Sequence, residues 1–240
     1  MKRMKRILLL GVLILFLAPL NFSFAYSVSY DPGTTYQTDA LTGFSTYGNM
    51  MDGMSVTAYF SSGGSQTLSW ATTGAGSGGV SGTGWSLTES GDTFGGSWTL
   101  SASVSLSRLV IDAGIDLTVF DRSWPNDNDA PNAGPDEGTP GSARGWSFNT
   151  TYTGDLTATY HDYITLAGNP PVGDLFRSLD LEFTNGFSGL NGSSMTFIAD
   201  TDNITSVLIP GGEVPEPMTI LLLGSGLVGL AGYARKRMKK

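Results

Sequence analysis

The sequence of 240 residues contains no cysteine, and its one histidine is His161. Without a thiol there is no disulfide, no cysteine nucleophile and no thiolate metal site. A single imidazole cannot build a multi-histidine zinc centre. Charge is scarce too: charged residues are 14% of the chain, against about a quarter in ordinary globular proteins. Lysine is missing from residues 26–214, where Arg108, Arg122, Arg144 and Arg177 are the cations. The same stretch holds 20 Asp+Glu, so its formal charge is −16. A body this acidic repels phosphate backbones, and non-specific binding to them needs many cationic contacts. No nucleic-acid partner is expected. The body also lacks any sustained apolar period of 3.6 residues, and with it the signature of amphipathic helices.

What the body lacks in positive charge is found at the two ends. Met1–Arg6 reads MKRMKR, Ile7–Leu20 is an uncharged run of 14 residues, and small residues stand at Ser23 and Ala25. This three-part order is that of a secretory signal peptide over residues 1–25, cut between Ala25 and Tyr26. It implies signal peptidase and the export machinery as handling partners. At the other end Met218–Ala234 is free of charge for 17 residues. As a helix at 1.5 Å per residue it would reach about 25 Å, enough for a short membrane span. The basic tail that follows, Arg235, Lys236, Arg237, Lys239 and Lys240, is expected to stay cytoplasmic. Pro215 and Pro217 disfavour extending the helix outward and mark an accessible segment at the outer membrane face.

Pro215-Glu216-Pro217, a short Gly-rich apolar helix and an Arg/Lys tail, in that order at the end of the chain, resemble the PEP-CTERM sorting signal of Gram-negative bacteria. Families with this ending also carry the label of an ice-binding-protein C-terminal domain, a label that describes the tail. The resemblance covers 214–240 and implies processing by exosortase, a membrane-embedded transpeptidase-like enzyme. Pro215, Glu216 and Pro217 would be its recognition motif. The product would be anchored briefly in the inner membrane, then released or transferred to the cell surface or extracellular matrix.

Residues 26–213 read as one exported domain of strands. Trp98–Ser107 alternates apolar and hydroxyl residues without a break, with Trp98, Leu100, Ala102, Val104 and Leu106 on one face. Period two over this length is the pattern of a half-buried strand. Ser178–Thr184, Leu156–Tyr160 and Met195–Ala199 repeat it, and shorter candidates are Ser55–Phe60, Gln66–Thr72, Gly84–Thr88, Leu109–Ile111, Ile115–Phe120 and Gly145–Tyr152. Asn185-Gly186 and Asn191-Gly192 are hairpin signals. Strands spaced by about ten residues predict an antiparallel β-sandwich, jelly-roll-like. Trp70, Trp85, Trp98 and Trp146 are core candidates, and Gly74–Gly84 is either a flexible loop or a tight connection between strands.

Chemistry-bearing patterns are few. Asp121–Glu137 gathers Asp121, Asp127, Asp129, Asp136 and Glu137 with three asparagines and Trp124. Calcium takes carboxylate, amide and carbonyl oxygens, so these five acids are the candidate metal ligands and calcium the one cofactor to consider. The order of residues is not that of an EF-hand, and the alternative is a solvated acidic loop. Asp200-Thr201-Asp202-Asn203 is a second oxygen-rich turn. His161 has no Gly-x-Ser-x-Gly elbow to serve and reads as structural. Arg144 and Arg177 are expected to pair with acids such as Asp174 or Asp136. The sequence therefore points to a non-enzymatic protein of the exopolysaccharide or biofilm layer. Its rivals are a carbohydrate-binding module or adhesin, with Trp124 the first residue to test, and more remotely a secreted hydrolase.

Overall fold

Alternation of apolar and hydroxyl residues sets which segments become strands and which face each one buries. A computed structural model describes residues 26–43, 45–115, 117–122, 145–167, 174–187, 193–206 and 208–210. In chain order the strands are β1 (Tyr26–Asp31), β2 (Tyr36–Thr38), β3 (Leu41–Gly43), β4 (Ser55–Phe60), β5 (Ser65–Ser69), β6 (Ala71–Gly74), β7 (Ser77–Gly82), β8 (Trp85–Ser90) and β9 (Trp98–Ala102). They continue as β10 (Leu106–Asp112), β11 (Thr118–Asp121), β12 (Asn149–Thr150), β13 (Leu156–Leu166), β14 (Leu175–Phe187), β15 (Ser193–Ile198), β16 (Asp200–Ile204) and β17 (Ile209–Pro210). Among the described residues the helical elements are two 3₁₀ turns, Gly48–Met50 and Ala113–Ile115.

The strands form two sheets. The first has 11 strands, with β17-β2-β13-β14-β10-β4-β5 in order, β1 beside β13, and β11, β16 and β3 branching from β14. The second has six, in the order β12-β15-β9-β8-β7-β6. Their inner faces share one core: Trp85, Leu87, Trp98, Leu100 and Phe197 from the six-stranded sheet meet Leu109, Phe120, Tyr160, Phe176 and Leu181 from the other. The fold is the expected all-β sandwich, largely antiparallel. It departs from that plan at β13, whose free edge pairs in parallel first with β1 and then with β2. Between those two pairings Asp162 takes a positive φ of 64°, and its carboxylate accepts the Thr34 amide at 2.8 Å.

Two expectations are corrected. The alternating run Trp98–Ser107 is two strands, because the chain crosses from one sheet to the other at Ser103–Ser105. Trp98, Leu100, Ala102 and Leu106 are all buried and Val104 packs against the core. A crossing that wraps around the core keeps the same face inward, so the alternation runs on through the corner. Asn185-Gly186 is not a hairpin turn. It lies inside β14, where Gly186 has φ 75° and the register against β10 slips, Leu106 opposing Phe187 and Arg108 opposing Glu182. An αL glycine with extra unpaired residues is the chemistry of a bulge. Asn191-Gly192 falls outside the described residues.

The Gly74–Gly84 stretch is a tight connection. It forms the turn of the β6–β7 hairpin, with Gly76 at φ 71°, and all of β7. A Cβ at Gly78 would collide with the Gly48 carbonyl and the Trp70 indole nitrogen. That close approach lets Trp70 Nε1 donate to the Gly48 carbonyl at 2.7 Å within the core. Trp70, Trp85 and Trp98 are buried as expected. Trp146 is half-buried, edge-on to Phe94 at 5.3 Å.

Candidate functional site

β11 and β16 lie antiparallel, and their register places Asp121 opposite Asp200 and Val119 opposite Asp202. Side chains two apart on a strand share a face, so Asp121, Asp200 and Asp202 project to one side. Asp174, just before β14, is close by: its carbonyl accepts the Arg122 amide at 3.0 Å. All four aspartates are buried. The two oxygen-rich segments of the sequence, one starting at Asp121 and one at Asp200, are thus cross-strand neighbours. Asp121 itself is the last residue of a buried strand and not part of an exposed loop.

The electrostatics of this group are severe. Burial, then repulsion from Asp202, Asp200 and Asp174, holds the Asp121 carboxyl well above the usual carboxylate range. Burial and Asp202 push Asp200 up as well, while the Thr93 hydroxyl at 3.1 Å and the Thr201 amide at 2.9 Å, both donating to Oδ1, work against it. Tyr160 is driven upward by burial first, then by Tyr30 and Asp200. Asp121 Oδ1, Asp200 Oδ2 and the Tyr160 hydroxyl are buried without a hydrogen-bond partner. Arg122 brings positive charge to the same end of the sheet, its guanidinium 3.8 Å from the centre of the Tyr30 ring.

The line of acids continues toward the other sheet. Asp92 acts electrostatically on both Asp200 and Glu89. Glu89 projects inward from β8, and both its oxygens are buried without a partner that meets hydrogen-bond geometry. Burial raises its pKa to about 8; the Gly48 amide lowers it somewhat and Asp92 raises it. At neutral pH this carboxyl is therefore mostly protonated. Sequence reasoning took the acids of the body as surface charge and missed Glu89, Asp174 and Asp180 as buried groups. For Glu89 the available signal was position, since it shares the inward face of β8 with Trp85 and Leu87. Asp180 alternates onto the outer face of β14 and is buried there by Arg108 and His161.

The other polar groups are tied into pairs. Arg108 forks onto buried Asp180, Nε donating to both carboxylate oxygens at 2.8 and 2.7 Å and Nη2 to Oδ2. Arg177 pairs with Asp112 at 3.0 and 2.9 Å, not with the acids named from sequence. His161 sits between Asp31, 3.2 Å from Nδ1, and Asp180, 3.7 Å from Nε2. Among the described residues no hydroxyl hydrogen-bonds to its ring. Nor do any three histidine or carboxylate side chains among them form a ready metal-ligand set.

A different surface lies on the outer side of the six-stranded sheet. Register aligns Ser86, Ser101 and Ser194 in one row across β8, β9 and β15, and Thr88, Thr99 and Thr196 in the next. At one end Ser81, Ser86, Ser101 and Ser103 wall a hollow of about 310 Å³ beside Trp85.

Tyr26 is the first described residue and opens β1. Asp127, Asp129, Asp136, Glu137, Trp124 and Arg144 lie outside the described residues, as do residues 1–25, the sorting motif Pro215–Pro217, the span 218–234 and the basic tail. For the C-terminal segment the comparison with protein families is decisive: residues 213–237 match the PEP-CTERM protein-sorting motif. The match lends no support to an ice-binding label. No curated protein and no solved structure matches the chain. The motif marks an exosortase-targeted, secreted protein of the cell surface, with exosortase as its processing partner.

Proposed function

We propose that this exosortase-targeted surface protein is a non-enzymatic interaction module of the extracellular polysaccharide layer. The observation that carries the reading is the sorting motif over 213–237. The character of the body supports it. A strongly acidic sandwich stays soluble and self-repelling outside the cell, and the outer face of the six-stranded sheet offers hydroxyl rows without charge. Signal peptidase would free Tyr26, and exosortase would cut near Pro215-Glu216-Pro217 and discard the basic tail.

The test is the mature product in an exosortase-positive host. Mass spectrometry is expected to find Tyr26 as the N-terminus and nothing beyond the 215–217 region. The protein should fractionate with the exopolysaccharide and leave the surface when that polymer is digested. An intact tail, or unchanged retention after digestion, removes the reading.

A carbohydrate-binding role is the second reading, favoured by the serine-walled hollow beside Trp85. Trp70, Trp85 and Trp98 are buried, so the stacking platform would have to come from exposed rings such as Tyr26 and Tyr30. A glycan array separates the two readings: one defined oligosaccharide as ligand favours the second.

A further inference from the structure

A buried polar atom without a partner calls for a water, an ion or a proton, and three such oxygens are grouped at the β11–β16 pair. Asp121 and Asp200 face each other across the ladder, 3% and 1% exposed. Asp200 uses Oδ1 for the Thr93 hydroxyl and the Thr201 amide, leaving Oδ2 without a donor. Asp121 Oδ1 has none, and neither does the Tyr160 hydroxyl, which senses both carboxylates. The surrounding charges make the demand for a cation larger. Asp174 and Asp202 act on Asp121, Asp202 also through a side-chain hydrogen bond, and Asp92 and Asp202 act on Asp200, while Arg122 is a cation among the described residues at this end of the sheet.

We infer that Asp121 and Asp200 together hold a divalent cation, calcium by its ligand chemistry, at the end of β11. The site is all oxygen, which disfavours zinc, and its two anchoring carboxylates leave the remaining positions to backbone carbonyls and water. Magnesium demands a near-ideal octahedron, whereas calcium tolerates an irregular cage of six to eight oxygens. Two carboxylates predict weak binding, in the range of about 0.1–1 mM found for extracellular modules. An exported protein meets the ion outside the cell. The site differs from the acidic run read from the sequence: it keeps Asp121 and replaces Asp127, Asp129, Asp136 and Glu137 with a residue from β16.

The experiment uses the full chain in mild detergent at pH 7. Calcium chloride is expected to raise the melting temperature relative to sodium chloride of equal ionic strength, with half the shift at about 0.1–1 mM and a weaker response to magnesium. Asp121→Asn and Asp200→Asn should each abolish the shift. A variant with amides at 127, 129, 136 and 137 should retain it. Terbium luminescence of the unaltered chain, sensitised through Tyr160 and Trp98 and displaced by calcium, gives a readout that does not depend on any variant folding. Absence of both a calcium shift and a terbium signal overturns the inference. So does a shift that survives Asp121→Asn and Asp200→Asn but vanishes with the four amides. Stabilisation of both Asn variants at pH 7 with no calcium response would assign the pair to proton sharing instead.

Discussion

The six-stranded sheet carries one charged residue in all its strands, Glu89, and that one is buried. The strands of the larger sheet hold Arg108, Arg177, Asp31, Asp112, Asp121, Asp162, Asp180, Glu182, Asp200 and Asp202. Both sheets press on the same core, and both show water a polar outer face, but they achieve it differently. In the smaller sheet the polar half of each alternation is serine or threonine, which hydrogen-bonds to water without any charge to neutralise. In the larger sheet charged pairs bridge neighbouring strands, Arg108 on β10 to Asp180 on β14 and Arg177 on β14 to Asp112 on β10. The difference teaches where the molecule will feel its surroundings. Sensitivity to salt, pH and cations belongs to the larger sheet and to Glu89, and the rest of the smaller sheet should be indifferent to them.

The comparison is broken most directly at the shared core. Trp98 donates to the Ala199 carbonyl at 2.8 Å and lies among the rings of Trp70, Phe120 and Phe197. Trp98→Ala is expected to cost about 3–5 kcal/mol, and guanidinium unfolding should show both sheets lost in one transition. Two separated transitions would mean that the sheets are independently stable. Next in size, Arg108→Ala strands the buried Asp180 carboxylate and should cost about 1–3 kcal/mol. Adding Asp180→Asn should recover much of that loss in urea melts.

Glu89 sharpens the contrast, as a single titrating group in an otherwise uncharged sheet. Its pKa is raised from the ordinary 4.5 to about 8, so the native state binds more protons than the unfolded chain between those values. Stability therefore falls as pH rises through that window, by at most about 1.4 kcal/mol per pH unit for one proton. Glu89→Gln should reduce the slope in melts from pH 5 to 8. The smallest effect is expected on the hydroxyl face: Thr99→Val should change stability by no more than about 0.5 kcal/mol at any pH or salt concentration.

Strand identity was legible because it is local. Ser55–Phe60 is β4 as read, and Leu179, Leu181 and Phe183 bury as their spacing required. Partnership was not legible, since nothing near Tyr26 announces that its partner is Leu156. The carboxylate group was half legible. Asp121 and Asp200 each stood in an oxygen-rich segment, but only the β11–β16 register joins them, and a short strand containing Asp-Thr-Asp looks like a turn when read alone. Asn185-Gly186 misled because the φ > 0 that suits a hairpin also suits a bulge.

The parallel strand β1 has a consequence for how this protein comes into being. Its hydroxyls join those of β13, Ser27 to Thr157 at 3.2 Å and Ser29 to Thr159 at 2.8 Å, a sequence separation of 130 residues. A secreted chain that emerges N-terminus first delivers β1 long before its partner. The strand must wait outside the membrane with both edges unmatched until β13 has followed. Contacts this distant in sequence make folding slow, so the exported body completes its sheet only as translocation nears its end. The alternating serines of Tyr26-Ser27-Val28-Ser29-Tyr30 are what keep that waiting strand wetted.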